Sequence, residues 1–401
     1  MAISDKMETL RSRLAELGVA GGGKRLMFRE MPPTMLRDGA VVLLKAWIQA
    51  RSLGLTFNHV STDLLAVRED GSVVFDGYDA LVQSGINTPA MTSFFRSILG
   101  PLMAIRYQPS VTGLIRRAGK LSAQEYLAFR NSPLLRLPGR LPERISNSRM
   151  APLMCLAMYA DAAKVLGQRG RHEDGWLDRV LPKLLARFQD MKVDGAWGRW
   201  TDYYGDIDIA GMAMNDHFEG IRGMTSRHRD VLEVMRSLPG NHVLDVGANR
   251  GLFSVLATRA GHTVTAIDHD IGAVDALYRF NRDHRTKVLP AVVDFYELEG
   301  EVGDRFRAPY VLALGFTHHL YLVEGMDWER ISASLAQLTE DVLVTEFKHR
   351  TAASHPECII TEQHRRGYTL DNFIGALRRS FGSVDFAGAD SQRQLLVCRK
   401  R

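Results

Sequence analysis

From about residue 236 onward, short apolar runs rich in β-branched residues alternate with amphipathic stretches. The runs His242–Val246, Thr263–Ile267, Val288–Val293, Tyr310–Leu314 and Val342–Phe347 predict strands. Between them Leu252–Arg259, Gly272–Asn281 and Met326–Gln337 carry apolar residues at helical spacing. Strands that stay apolar along their length are buried on both faces, so this rhythm predicts a parallel sheet covered by helices. The closing stretch predicts a last helix from Tyr368 and an antiparallel hairpin running to Arg399.

Upstream the pattern changes twice. Residues 1–108 mix a polar helical start, a helix at Val41–Leu53 with Val42, Leu43, Ala46, Trp47 and Ala50 on one stripe, and a hairpin. The hairpin signal is Leu65 to Asp76, two apolar runs joined by Asp70-Gly71, which supplies the positive φ of a tight turn. Residues 109–235 read as mainly helical, with 3.6-period stripes at Ser148–Leu166 and Trp176–Phe188. Three regions follow: an α+β start (1–108), a helical connecting or lid region (109–235) and an α/β domain (236–401).

Composition narrows the class. Hydrophobic residues make up 45% and charged residues 24%, as in a globular protein, and the formal charge of +5 permits an anionic partner. The longest apolar run, Ala40 to Ile48, is broken by Lys45 and falls short of the roughly 20 residues that cross a bilayer. No membrane association is therefore expected. Cys155, Cys358 and Cys398 have no pairing or zinc spacing, and no metal site is expected; a reducing, cytoplasmic setting is the simple reading.

The chemistry concentrates at His242 to Ser254: an apolar strand ending in Asp245, a turn Gly247-Ala-Asn-Arg-Gly251, then a helix. The glycines let the backbone turn sharply beside a ligand. The spacing Asp-x-Gly-x-x-x-Gly differs from the dinucleotide fingerprint Gly-x-Gly-x-x-Gly, and the acid before the loop suits a cationic amino-acid ligand better than a pyrophosphate. The next strand ends in Asp268, placed to accept two ribose hydroxyls. The third ends in Asp294-Phe295, an acceptor for an amino group beside an aromatic surface.

Three acidic strand ends in order, behind that loop, resemble the class I S-adenosylmethionine-dependent methyltransferase family over roughly Leu238 to Arg401. The resemblance implies a Rossmann-like seven-stranded sheet with S-adenosyl-L-methionine as cofactor. Asp245, Gly247, Ala248, Asn249 and Gly251 would then line its amino-acid part. Asp268 would hold the ribose, with His269 near the adenine and Asp294 and Phe295 bordering it. N-capping is the plain structural alternative for Asp245 and Asp268.

In that family the fourth strand end faces the methyl group, which makes His318 and His319 candidate catalytic bases. Glu346, at the fifth strand end, is a candidate for the substrate side; pairing with Lys348 or Arg350 is its alternative. The aromatic stretch holding Trp197, Tyr203 and Tyr204 is a candidate lid for a flat or sugar-like acceptor.

The segments Thr56–Val67 and Gly71–Tyr78 resemble a degenerate kinase catalytic region. His59 and Asp63 are out of register, however, and Asp76-Gly77-Tyr78 replaces the metal-binding triplet. Bacterial methyltransferases carry similar degenerate segments, so the first 235 residues are expected to bind substrate, dimerise or form a lid. The expected function is O- or N-methylation of a small molecule, such as a secondary metabolite or sugar-bearing acceptor. Nucleic-acid methylation is the alternative enzyme class, disfavoured because no Asn/Asp-Pro-Pro-Tyr/Phe tetrapeptide follows the fourth strand. A cofactor-binding scaffold without catalysis is the non-enzymatic alternative.

Overall fold

The computed structural model describes residues 2–84, 90–102, 173–193, 209–214, 222–349 and 362–401. The chain divides into two compact units, Met1–Arg68 with Ser72–Trp197, and Glu69–Gly71 with Gly198–Arg401. Among the described residues no helix is long and apolar enough to cross a membrane.

The first unit contains helices α1 (Ile3–Glu16), α2 (Pro33–Ser52), α3 (Ala90–Phe94) and α4 (Glu173–Gln189), and short strands β1 (Leu55–Phe57), β2 (Leu65–Val67), β3 (Val73–Phe75) and β4 (Leu81–Gln83). Helix α2 starts at Pro33, well before the expected Val41, because proline's fixed φ suits a first helical turn. Its Trp47 is fully buried and donates from Nε1 to Thr56 Oγ1 at 3.1 Å. Around it Phe57, Phe75, Phe94 and Phe188 meet edge-on, with centroids 5.5–6.4 Å apart. The Asp-Gly hairpin forms as β2 and β3, paired Leu65↔Phe75 and Val67↔Val73, with Gly71 at φ +78°. In the kinase-like stretch His59 Nε2 lies 3.0 Å from Asp63 on the surface, and Asp76 pairs with Arg25 at 3.2 Å. The predicted helix at Ser148–Leu166 lies outside the described residues.

The second unit holds α5 (Ile209–Met214), α6 (Ser226–Ser237), β5 (His242–Val246), α7 (Leu252–Arg259), β6 (Thr263–Asp268), α8 (Ile271–His284), β7 (Val288–Val292), α9 (Glu301–Phe306), β8 (Ala308–Ala313), α10 (Thr317–Leu322), α11 (Trp328–Leu338), β9 (Thr339–Lys348), α12 (Glu362–Arg366), α13 (Leu370–Ser380), β10 (Ser383–Ala389) and β11 (Arg393–Arg399). Its seven-stranded sheet runs β10-β11-β9-β8-β5-β6-β7, with β5 to β9 parallel and β10 and β11 antiparallel. The mixed sheet and Rossmann-like order match expectation. Strand β9 is longer than Val342–Phe347 because it begins directly at the end of α11. Val243, Leu244, Val264, Ala266, Leu312, Val342 and Val344 are essentially inaccessible and fill the core. The chain builds β5, β6 and β7 outward, then returns to lay β8 on the other side of β5. The order reverses between β5 and β8, where open α/β sheets bind ligands beyond the strand ends.

Candidate active site

Strand β5 delivers the glycine loop to this reversal. Gly247 sits at φ +71°, and a Cβ there would stand 2.6 Å from the Phe316 ring. Only glycine meets both demands without strain. Gly251, at φ +78°, starts α7, and its missing Cβ makes room for Leu277 of α8. Asn249 also takes a left-handed φ of +52°, an exception that asparagine tolerates.

The loop is clamped by the next strand. Gly247 and Ala248 donate their N–H groups to Ile267 O at 2.9 and 3.0 Å. Asp268 Oδ2 accepts the Asn249 N–H and Oδ1 accepts the Asp270 N–H, both at 2.8 Å. Each carboxylate oxygen keeps a lone pair in hand, the capacity that two vicinal hydroxyls require. The amides a pyrophosphate would need are committed, Asn249 N–H to Asp268 and Arg250 N–H to Asn249 Oδ1. The residues thus fit a ribose and a cationic amino acid better than a phosphate.

Asp245 lies beneath the loop, 2% exposed, and accepts Ser254 Oγ–H at 2.6 Å. Burial pushes its carboxyl up to about 7, against the Ser254 bond, with Asp268 raising it further. Burial likewise raises Asp268, opposed by the Asp270 amide. Two buried carboxylates, both raised, make this end of the sheet receptive to a cation. His269 is largely exposed, its Nδ1 3.5 Å from Asp268 Oδ1. At the end of β7, exposed Asp294 caps a short helical turn by accepting the Tyr296 N–H at 3.1 Å. Buried Phe295 meets Phe316 edge-on at 5.3 Å, so an aromatic pair spans the ends of β7 and β8.

On the other side of the reversal, His318 and His319 open α10. His318 is 3% exposed and His319 half-buried, with rings 4.1 Å apart. Neighbouring Thr317 donates to Glu346 O at 3.0 Å, tying α10 to β9. Glu346 is 2% exposed, and its side-chain hydrogen bonds go to two arginines rather than to Lys348; Arg350 lies outside the described residues. It takes Arg227 of α6 bidentately, at 2.8 Å (Nε to Oε2) and 2.7 Å (Nη2 to Oε1), and also Arg393 of β11. Burial alone would raise Glu346, but Arg227 and then Arg393 hold it below the usual range. Trp197, Tyr203 and Tyr204 lie outside the described residues.

Phe316, Ser254, Arg227 and Arg393 join the site without having stood out in the sequence. Phe316 and Ser254 sit within motif segments and could have been singled out; the two arginines carry no local signal, because their meeting depends on α6 and β11 converging. Among the described residues no three His, Cys, Asp or Glu side chains are placed to hold a metal ion.

Residues 212–306, from α5 through α9, match the family described as TehB, tellurite resistance protein TehB. A comparison with curated proteins returned no match. Among solved structures, the bifunctional kinase-methyltransferase WbdD is similar at 15% identity over 48% of this chain and 46% of that one, TM-score 0.34. Magnesium protoporphyrin IX methyltransferase from Synechocystis PCC 6803, solved with S-adenosylmethionine bound, is 18% identical over 44% of this chain and 79% of that one, TM-score 0.31. An O-methyltransferase family protein from Burkholderia thailandensis is 15% identical over 43% and 56%, TM-score 0.31. The match spans less than half of WbdD's own length. Strand order and the clamped glycine loop give the C-terminal unit a Rossmann-like seven-stranded fold, and the stretch from β5 to β7 lies within the segment that matches the TehB family.

Proposed function

We propose that the C-terminal unit binds S-adenosylmethionine and transfers its methyl group to an oxygen or nitrogen of a small molecule. The observation that carries this reading is Asp268: a buried carboxylate, fixed by the Asn249 and Asp270 amides, with acceptor capacity for two hydroxyls. When bound, the cofactor supplies an electrophilic methyl on a sulfonium, so the chain's task is alignment and exclusion of water.

Gly247 to Gly251 would take the amino-acid end, with Asp245 and Asp268 supplying negative potential beneath it. Asp268 would accept the ribose hydroxyls, and Asp294 and Phe295 would border the adenine, with Phe316 facing Phe295. At the end of β8, His318 or His319 would take the proton from a hydroxyl or ammonium nucleophile. The segment holding Trp197, Tyr203 and Tyr204 would cover a bulky secondary-metabolite or sugar-bearing acceptor, and the N-terminal region would bind substrate or a second copy of the chain.

The test is a transfer screen with methyl-labelled cofactor and the full chain, against hydroxylated and amino small molecules and against RNA and DNA. Label on a small molecule is expected. Label on nucleic acid alone would overturn the acceptor class, and cofactor binding without transfer to anything would favour a scaffold.

A further inference from the structure

Two acids flank the Gly247–Gly251 loop, and they are not served alike. Asp268 is well supplied with donors: Oδ2 takes the Asn249 N–H, Oδ1 takes the Asp270 N–H, and His269 Nδ1 stands 3.5 Å away. Asp245, among the described residues, has Ser254 alone, whose hydroxyl donates to Oδ2 at 2.6 Å. Hydrogen bonds to the charged form stabilise a carboxylate, so Asp268 is the better placed of the two to stay ionised.

The surroundings of Asp245 offer it no positive charge. Strand β5 is flanked by β6 and β8 and covered by α7, and the residues level with Asp245 are Ala266 and Leu312. From the β6 side Asp268 acts on the carboxyl, and it is of like charge. Helix α7 begins with Leu252, Phe253 and Ser254, and its one charged side chain, Arg259, closes the far end. On β8 Tyr310 lies level with Val243, toward the strand's start, and on β5 itself His242 is the first residue and bonds to Thr263 and Thr265. Neither Arg250 of the loop nor the exposed His269 acts on Asp245. A carboxylate 2% exposed and without a counter-cation is costly. Such a group is held as the neutral acid or against an arriving positive charge.

We propose that Asp245 carries a proton in the free protein and gives it up to solvent when the ammonium of the donor's amino-acid end settles on the loop, so that capture of the methyl donor releases one proton. The identity of that ligand rests on the methyl-transfer reading. The O–H bond of the carboxyl breaks, its proton passes to a buffer base, and the carboxylate left behind answers the ammonium. Ser254 can donate to the same oxygen in both states. The ammonium need not touch Asp245, since charges interact strongly across a water-poor interior. The affinity of the donor site therefore follows pH, weakening as the medium becomes more acidic.

The test is titration calorimetry of the full chain with S-adenosylhomocysteine at about pH 6, in phosphate and in imidazole at equal ionic strength. It is repeated with 5′-deoxy-5′-methylthioadenosine, which has the nucleoside and no amino-acid end. Burial holds the Asp245 carboxyl up at about 7, so close to one proton should leave per S-adenosylhomocysteine bound, read as a buffer-dependent heat. Affinity should fall up to about tenfold per pH unit below that value. Methylthioadenosine should bind with equal heats in both buffers. Asp245→Asn should bind S-adenosylhomocysteine more weakly, with equal heats in both buffers and an affinity that is flat between about pH 5.5 and about pH 7. Ser254→Ala removes a bond that favours the carboxylate and should move the fall in affinity to higher pH. Equal heats in the two buffers while the wild type binds S-adenosylhomocysteine overturn the proposal and leave the methyl-transfer reading standing. Proton release with methylthioadenosine, or its persistence in Asp245→Asn, assigns the proton elsewhere and also overturns it. If Asp245→Asn does not fold, Ser254→Ala carries that arm, and an unmoved pH dependence is the contrary result. Absence of any S-adenosylhomocysteine binding fails the methyl-transfer reading and the proposal with it.

Discussion

The carboxylate of Asp268 accepts the backbone N–H of Asn249 at 2.8 Å, so the acid at the end of β6 holds the loop that follows β5. One side chain therefore shapes the loop and offers itself to the ribose. Asp268→Asn should weaken S-adenosylhomocysteine binding about 10- to 100-fold, the equivalent of one hydrogen bond to a charged group. Titration calorimetry on a variant with unchanged circular dichroism checks it. Unaltered affinity would remove Asp268 from the site.

Gly247 and Phe316 make a second linked pair. Gly247→Ala meets both a left-handed φ of +71° and the Phe316 ring, and should cost about 1–3 kcal/mol in urea unfolding. In a Phe316→Ala background the clash disappears and the φ strain remains. The Gly247→Ala cost should then fall to roughly 1 kcal/mol. Additive costs would show that ring and loop do not meet.

Two buried groups titrate in opposite senses. Burial raises Asp245 to about 7 from 3.8, so its contribution to stability is full below the unfolded value and is lost as pH rises through about 7. Burial, with Arg227 adding, lowers His228 to about 4 from 6.5, so its contribution is present above the unfolded value and is lost as pH falls toward about 4. Between these limits the two nearly offset each other. Asp245→Asn should gain stability relative to wild type as pH rises from about 4 to about 7. His228→Gln keeps an acceptor for the Thr225 N–H and should gain relative to wild type as pH falls from about 6.5 to about 4. Urea melts across that range check both; parallel curves for variant and wild type would contradict the assignment.

Removing Glu346 leaves two partly buried guanidiniums without their common acceptor. Glu346→Ala should cost about 3–5 kcal/mol in unfolding free energy. In an Arg393→Ala background the same change should cost clearly less, because one surplus charge is gone. Equal costs in both backgrounds would show that Arg393 and Glu346 act independently.

The second unit was legible because its information is local. Strand β5 and helix α7 run over the predicted residues, since continuous burial and the glycines Gly247 and Gly251 mark both ends. The start of α2 at Pro33 and of α11 behind the Asp327 cap was misjudged, because apolar stripes report the middle of a helix better than its first turn. In the site, Asp268, Asp294 and Phe295 could be named from order along the chain. Glu346 could be named but not partnered. Its arginines lie 119 and 47 positions away, and only the antiparallel return of β11 and the approach of α6 bring them together. Ser254, by contrast, sits in the first turn of α7, nine positions from Asp245, and its bond follows from that turn.

The central claim is that Asp268 and the Gly247–Gly251 loop hold S-adenosylmethionine. Titration calorimetry of the full chain with S-adenosylmethionine, S-adenosylhomocysteine and NAD tests it most directly. Saturable one-to-one binding of the first two, weakened in Asp268→Asn, is expected, with no binding of NAD. Binding of NAD in preference, or of neither methyl-donor species, would contradict it.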